Sequence, residues 1–342
     1  VTAALLPAML SGQVDDAAAA EVVQLNEQVL LLYQQGLGDS ALVIAQQAVD
    51  QSLAGLGHDH PLTGVSYNTL ATLLYGGGRR PEAASMYREA LKVWEAAPPP
   101  DSLVIGAALY NLAVSERESE RPGEAKRYYR QALAVLEESP DIDPQNVADA
   151  YLELAGMYPS DSCAVALPLY ERAVSLRGRL FGPAHLPLAG ALFAMARCQA
   201  ALEQPEAAAR NLERALEITE VVVGPDHPET ARCLDRLADV RRQQKRFGEA
   251  QALTVRALDI ITTHFGPLDP QTGVVTVHLG NVYLESGQLA QAREMYERAV
   301  TVFDQTPGVA ISELMEALTA LSTIYRSQGD QVKAAEAMQR VE

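Results

Sequence analysis

Histidine and cysteine are the residue types in this chain best suited to chemistry, as metal ligands, proton carriers or nucleophiles. Six histidines and three cysteines are present. The ligands of one metal ion must converge within a few ångströms. His60, His185 and His227 instead stand at junctions, in His60-Pro61, His185-Leu186-Pro187 and His227-Pro228, and each is read as a residue that starts a helix. His278 sits inside a helical segment with no acid at ligand spacing. Cys163, Cys198 and Cys233 form no CxxC and leave one thiol over. Neither a zinc site nor a disulfide framework is therefore expected, and a reducing compartment is the default. Cys198 and Cys233 are read as helix-packing thiols.

Other catalytic signatures fail in the same way. The run Gly76-Gly77-Gly78 before Arg79-Arg80 has the composition of a phosphate cradle, but it lies between two helices and reads as a turn. No GxSxG, HExxH, GxxxxGK[ST] or GxGxxG occurs. Aspartates and glutamates are abundant, yet they lie on helix faces beside Arg or Lys, and no acid–base pair stands out. The expectation is a protein that is not an enzyme, with no catalytic residues, no metal and no cofactor.

Charge narrows the partners. The formal net charge is −17 over 342 residues. Nucleic acids and anionic membranes need a basic face that releases counterions, so neither is an expected partner. No run approaches the length of apolar residues that spans a bilayer. The opening VTAALLPAML is apolar but lacks the basic flank of an intact signal peptide. A cytoplasmic location is expected, with an organelle matrix or stroma, after removal of a targeting peptide, as the alternative.

The elements that would have to position any site follow from internal repetition. Alanines recur at 41, 83, 125, 166, 208, 250, 292 and 334, in steps of 42 with a single step of 41. A second small column follows seven residues later: Ala48, Ala90, Ala132, Ala173, Ala215, Ala257 and Ala299. Between them lies a bulky column of Tyr87, Tyr129, Tyr170, Leu212, Tyr296 and Met338, broken by Ala45 and Thr254. Small residues on each face let neighbouring helices approach at the short end of the usual spacing of about 8–10 Å. Each unit reads as two amphipathic helices. The clearest begins at Pro228, which suits a first helical turn, and ends at Gly266-Pro267, where glycine accepts the left-handed stop.

The strings YNTLATLLYGGGRRPEAASMYREAL, GPDHPETARCLDRLADV and GNVYLESGQLAQAREMYERAV resemble the tetratricopeptide repeat. They are most similar to the 42-residue variety of kinesin light chains and their bacterial relatives. HEAT repeats have a comparable period but need neither the paired alanine columns nor the Gly-x-x-His-Pro junction. The resemblance implies an all-α fold, a right-handed superhelical solenoid of about eight helical hairpins. Residues 1–14 are then a partial helix or cap before an array over 15–342. Its repeats fall at about 15–57, 58–100, 101–142, 143–184, 185–226, 227–268, 269–309 and 310–342. The array stops inside a second helix, so a longer parent protein is expected. Glu116, Gln199 and Arg241 occupy a column that elsewhere holds Leu or Tyr, and their helices are expected to pack less tightly.

In the resembled family the first helix of each hairpin lines a concave groove that takes a partner peptide. Carried over, that groove contains Asn26, Tyr33, Asn68, Thr72, Tyr75, Tyr110 and Arg117 in its first part. Phe193, Arg197, Arg232, Asp235, Asp239, Arg242 and Asn281 follow. Arg197, Arg232 and Arg242 could clamp an acidic peptide, since guanidinium forks suit carboxylates and kinesin light chains are similar in favouring acidic, aromatic segments. Arg232, Asp235, Asp239 and Arg242 are also spaced to neutralise one another on a single helix. The implied function is a non-catalytic scaffold or adaptor for a protein or peptide partner. A structural or assembly-factor subunit, or a regulatory domain of a longer protein, is the alternative.

Overall fold

The computed structural model describes residues 17–96, 102–138, 144–182, 184–306 and 308–341. The proposed N-terminal cap over 1–14 lies outside the described residues. Within them the chain forms sixteen α-helices and no strand. The chain divides into two compact units, Val1–Pro159 and Ser160–Glu342. The first holds α1 (Ala17–Gln34), α2 (Gly38–Gly55), α3 (Pro61–Gly76), α4 (Arg80–Ala96), α5 (Ser102–Glu118), α6 (Pro122–Glu138) and α7 (Pro144–Gly156). The second opens on a short turn at Ser160–Ser162. It continues through α8 (Cys163–Phe181), α9 (Leu186–Ala201), α10 (Pro205–Val222), α11 (Pro228–Gln243) and α12 (Phe247–Phe265). It ends with α13 (Pro270–Glu285), α14 (Leu289–Asp304), α15 (Ile311–Ser327) and α16 (Gln331–Gln339).

Helix starts follow one local scheme. The Nδ1 atoms of His60 and His227 accept the backbone N–H groups of Leu62 and Glu229, at 3.2 and 3.1 Å, and the Asp269 carboxylate accepts that of Gln271 at 2.8 Å. A threonine three residues on then ties the junction: Thr63, Thr230 and Thr272 donate to the carbonyls of Gly57, Gly224 and Gly266. These contacts satisfy donors and acceptors that a helix end leaves unpaired. His185 holds the same place before α9, but Leu188 stands where the threonine would be. Inside the hairpins, the connection needs a left-handed residue. Gly36, Gly78, Gly287 and Gly329 supply it, and Glu120, Glu203 and Lys245 adopt it at φ near +60° in the corresponding places.

Both alanine columns are buried, as is the bulky column at Tyr87, Tyr129, Tyr170, Leu212 and Tyr296. Small residues admit large ones elsewhere too. A Cβ at Gly64, Gly106 or Gly273 would collide with Trp94, Leu136 or Phe303, each on the second helix of the same hairpin. No hairpin closes its apolar face alone, and stacking within each unit supplies the core.

The helices of Glu116, Gln199 and Arg241 are not loosened in the way the sequence suggested. All three side chains are buried, and each is held by a polar partner. Arg88 and Arg121 pair with Glu116, Asn211 donates to Gln199 at 2.7 Å, and Glu213 and Glu249 pair with Arg241. The Arg88–Glu116 and Glu213–Arg241 pairs join a second helix to the first helix of the next hairpin, as does Glu297–Tyr325, while Arg130 of α6 reaches Tyr158 in the turn just after α7. All four span 28 residues.

The cysteines also depart from expectation. Cys163 opens α8 and bonds to Cys198 of α9 in a disulfide, with Cα atoms 5.1 Å apart. Nothing in the spacing announces this pair, because two consecutive helices bring it together across 35 residues. Cys233 is a free, buried thiol, as a packing role requires.

Candidate partner-binding groove

First helices touch one another: α1 meets α3 and α3 meets α5 in the first unit, while α11 meets α13 and α13 meets α15 in the second. Second helices make no comparable contact within either unit among the described residues. The first helices therefore crowd one side of each stack, the side on which helical-repeat arrays present their concave surface.

In the second unit that side holds two hollows of about 190 and 590 Å³. Both are lined by Arg242, Asn281 and Glu316. Asp235, Arg236, Asp239 and His278 also line the smaller one, and Met315, Thr319 and Thr323 the larger. Cross-helix pairs fix these side chains. Asp235 receives His278 Nδ1 at 2.8 Å, and Arg242 bridges Asp239 of its own helix and Glu285 of α13. Asn281 donates to Glu316 at 2.7 Å and accepts from the hydroxyl of Tyr296, a buried residue reaching through from α14. Burial works to lower the His278 pKa, but the charge and hydrogen bond of Asp235 outweigh it and leave the imidazole above its ordinary value. Burial is also the main cause that raises the Tyr296 phenol.

The residues named from sequence separate into distinct settings. Asn26 is fully buried, donating to the Val22 carbonyl and to Ser66, so it does not reach the groove surface. Tyr33 is exposed and Asn68 half-buried. Thr72 bonds the Asn68 carbonyl and lies 3.1 Å from the Tyr87 hydroxyl. Tyr75 donates to Glu118 at 3.3 Å, under the guanidinium of Arg80. Tyr110 stands edge-on to Tyr129, and Arg117 pairs with Glu153. In the second unit the Arg232 guanidinium lies 4.7 Å over the Phe193 ring and pairs with Glu229. Arg197 is exposed, with no acid partner among the described residues. Thus Asp235, Asp239, Arg242 and Asn281 converge on one hollow, whereas Arg232 and Arg242 spend their charge on the protein's own acids.

Glu285, Glu316 and Arg236 carry no mark of their own in the sequence, and His278, which has no acid at ligand spacing along its own helix, finds one in Asp235 of α11. Asp235–His278, Arg242–Glu285 and Tyr75–Glu118 are each 43 residues apart, one period plus one residue. That spacing is the signal that could have found His278 and Glu285; Glu316 lies 35 residues from Asn281 and follows no such rule.

The family model for the tetratricopeptide repeat matches residues 20–96, 78–138, 146–220, 210–263, 236–305 and 271–342. The chain belongs to this family. None of the curated proteins matches it by sequence. Among solved structures, the apo form of RapI is similar over 96% of this chain and 86% of its own, at 14% identity and a TM-score of 0.65. Aspartyl phosphate phosphatase F from Bacillus subtilis is similar over 98% of this chain and 85% of its own, at 12% identity and a TM-score of 0.55. The nearly identical TPR-like repeats of a kinesin light chain from Podosopora anserina cover 58% of this chain and 94% of their own. They do so at 21% identity and a TM-score of 0.50. Tetratricopeptide arrays are generally non-catalytic interaction scaffolds, working through extended concave surfaces. No helix among the described residues is long and apolar enough to cross a membrane.

Proposed function

We propose that this tetratricopeptide protein is an adaptor that holds an extended segment of a partner protein along the inner face of its second unit. The observation that carries the reading is the pair of hollows across α11, α13 and α15, which share Arg242, Asn281 and Glu316. Their polar side chains are already fixed by cross-helix pairs, so little ordering remains to oppose binding. The neighbouring stretch on α9 and α11 favours an acidic segment. There Arg197 is exposed and without an acid partner among the described residues, one helical turn beyond the Phe193 ring that supports Arg232.

Fluorescence anisotropy of the full chain with a synthetic peptide of glutamates around one tryptophan tests both claims. Thr319→Trp, at an exposed position lining the larger hollow, should abolish binding by filling the groove. Arg197→Glu with Arg232→Glu should weaken the acidic peptide at least tenfold. Binding unchanged by Thr319→Trp removes the groove, and binding unchanged by the arginine pair removes the acidic preference.

A further inference from the structure

A cavity of about 550 Å³ lies on the opposite face of the first unit, between the second helices α4 and α6, with α5 as its floor. It is separate from the groove and belongs to no peptide path along the first helices. Its size falls in the range typical of small-ligand sites, about 300–1,000 Å³. The walls are apolar: Trp94 from α4, Ile105 and Leu109 from α5, and Tyr128, Ala134 and Val135 from α6. Trp94 is anchored, with its indole N–H donating to the Pro61 carbonyl at 3.2 Å and its ring seated over Gly64.

Charge at the rim runs against the character of the chain. Arg88, Lys92 and Arg127 line the cavity and only Glu95 opposes them, in a protein of net charge −17. The acids that pair with these cations, Glu116, Glu89 and Glu124, do not line it. Arg127 also lies 4.5 Å over the Tyr128 ring, which holds its guanidinium at the cavity wall.

We propose that this cavity binds a small amphipathic acid, an aromatic or branched apolar group that carries one carboxylate. The apolar part fills the space over Ile105 and Leu109 between the two rings, and the carboxylate meets the Lys92 and Arg127 side of the rim. Apolar burial supplies most of the affinity, and the cations select an acid over a neutral or basic analogue.

Trp94 is the chain's single tryptophan, so its indole N–H gives one resonance, from a ring that lines this cavity. The full chain is titrated with 4-phenylbutyrate, 4-phenylbutanol and 4-phenylbutylamine while that resonance is followed by NMR. The expected result is a saturable shift with the acid, at least tenfold weaker with the alcohol and absent with the amine. Ala134→Phe places a ring in the cavity from an exposed position and should abolish the shift, while Arg127→Glu should weaken the acid about tenfold and leave the alcohol unchanged. Circular dichroism confirms that both variants fold. No saturable shift with the acid, equal affinity for acid and alcohol, or an unchanged titration in Ala134→Phe would overturn the proposal.

Discussion

Arg88 on α4 reaches the buried carboxylate of Glu116 on α5, 28 residues away, and the same place farther along holds the inverted pair Glu213–Arg241. A position occupied elsewhere by Leu or Tyr thus accepts either charge, provided that the preceding helix supplies the opposite one.

Removing one partner strands a buried charge. Arg88→Met should cost about 3 kcal/mol, since breaking a buried pair is far worse than replacing it. Arg88→Met with Glu116→Leu should recover most of that loss. Urea denaturation of these two variants and of Glu116→Leu alone measures the cycle, and a double variant no better than Arg88→Met would show that Arg121 already compensates Glu116.

The inverted pair allows a stricter check. Glu213→Arg with Arg241→Glu should recover part of the stability, less what the new carboxylate loses against Glu249, whereas either change alone sets like charges at 213 and 241 together and should melt earlier. Thermal unfolding followed by circular dichroism gives the ranking.

Small columns set helix spacing. Ala83→Leu or Ala292→Leu, at fully buried positions, should destabilise by about 1–3 kcal/mol through overpacking. Lys245→Gly should act in the other direction, by about 0.5–1 kcal/mol, because Lys245 holds a left-handed φ of 59° that costs a side chain energy. Chemical denaturation resolves both signs.

The disulfide between Cys163 and Cys198 closes a loop of 35 residues. Reduction, or Cys163→Ser with Cys198→Ser, should lower stability by about 3–4 kcal/mol on the chain-entropy account. Burial pushes the Cys233 thiol up to about 11, so the native oxidised chain should show no thiol reactive at neutral pH. One reactive thiol should appear on denaturation, and three after reduction. A titration that finds three thiols without reductant refutes the pairing.

His278 makes groove stability depend on pH. Its folded value lies above the ordinary 6.5, because Asp235 outweighs the opposing effects of burial and Arg236, with Asp239 adding to the rise. The pair therefore stabilises the fold fully below that ordinary value and loses its contribution as pH rises through the raised one. The stability difference between the native chain and His278→Gln should shrink steadily across that interval. A pH-independent difference would mean that the imidazole remains neutral throughout.

Much of this architecture is written in local sequence. Proline after His60 and His227, glycine before them and alanine every 42 residues act through helix starts, stops and spacing, which depend on near neighbours. The hairpins were therefore legible, as was the reading of those histidines as helix starts. Which side chains meet was not. Asn26 looked like a groove residue but is buried against Ser66, and Glu116 looked like a packing defect but is one half of an ion pair. Cys163 and Cys198 carry no spacing signal, and the cavity beside Trp94 has no motif at all. Each depends on the approach of helices tens of residues apart, where a small change in separation or rotation decides whether a charge is paired, a thiol bonded or a space left open.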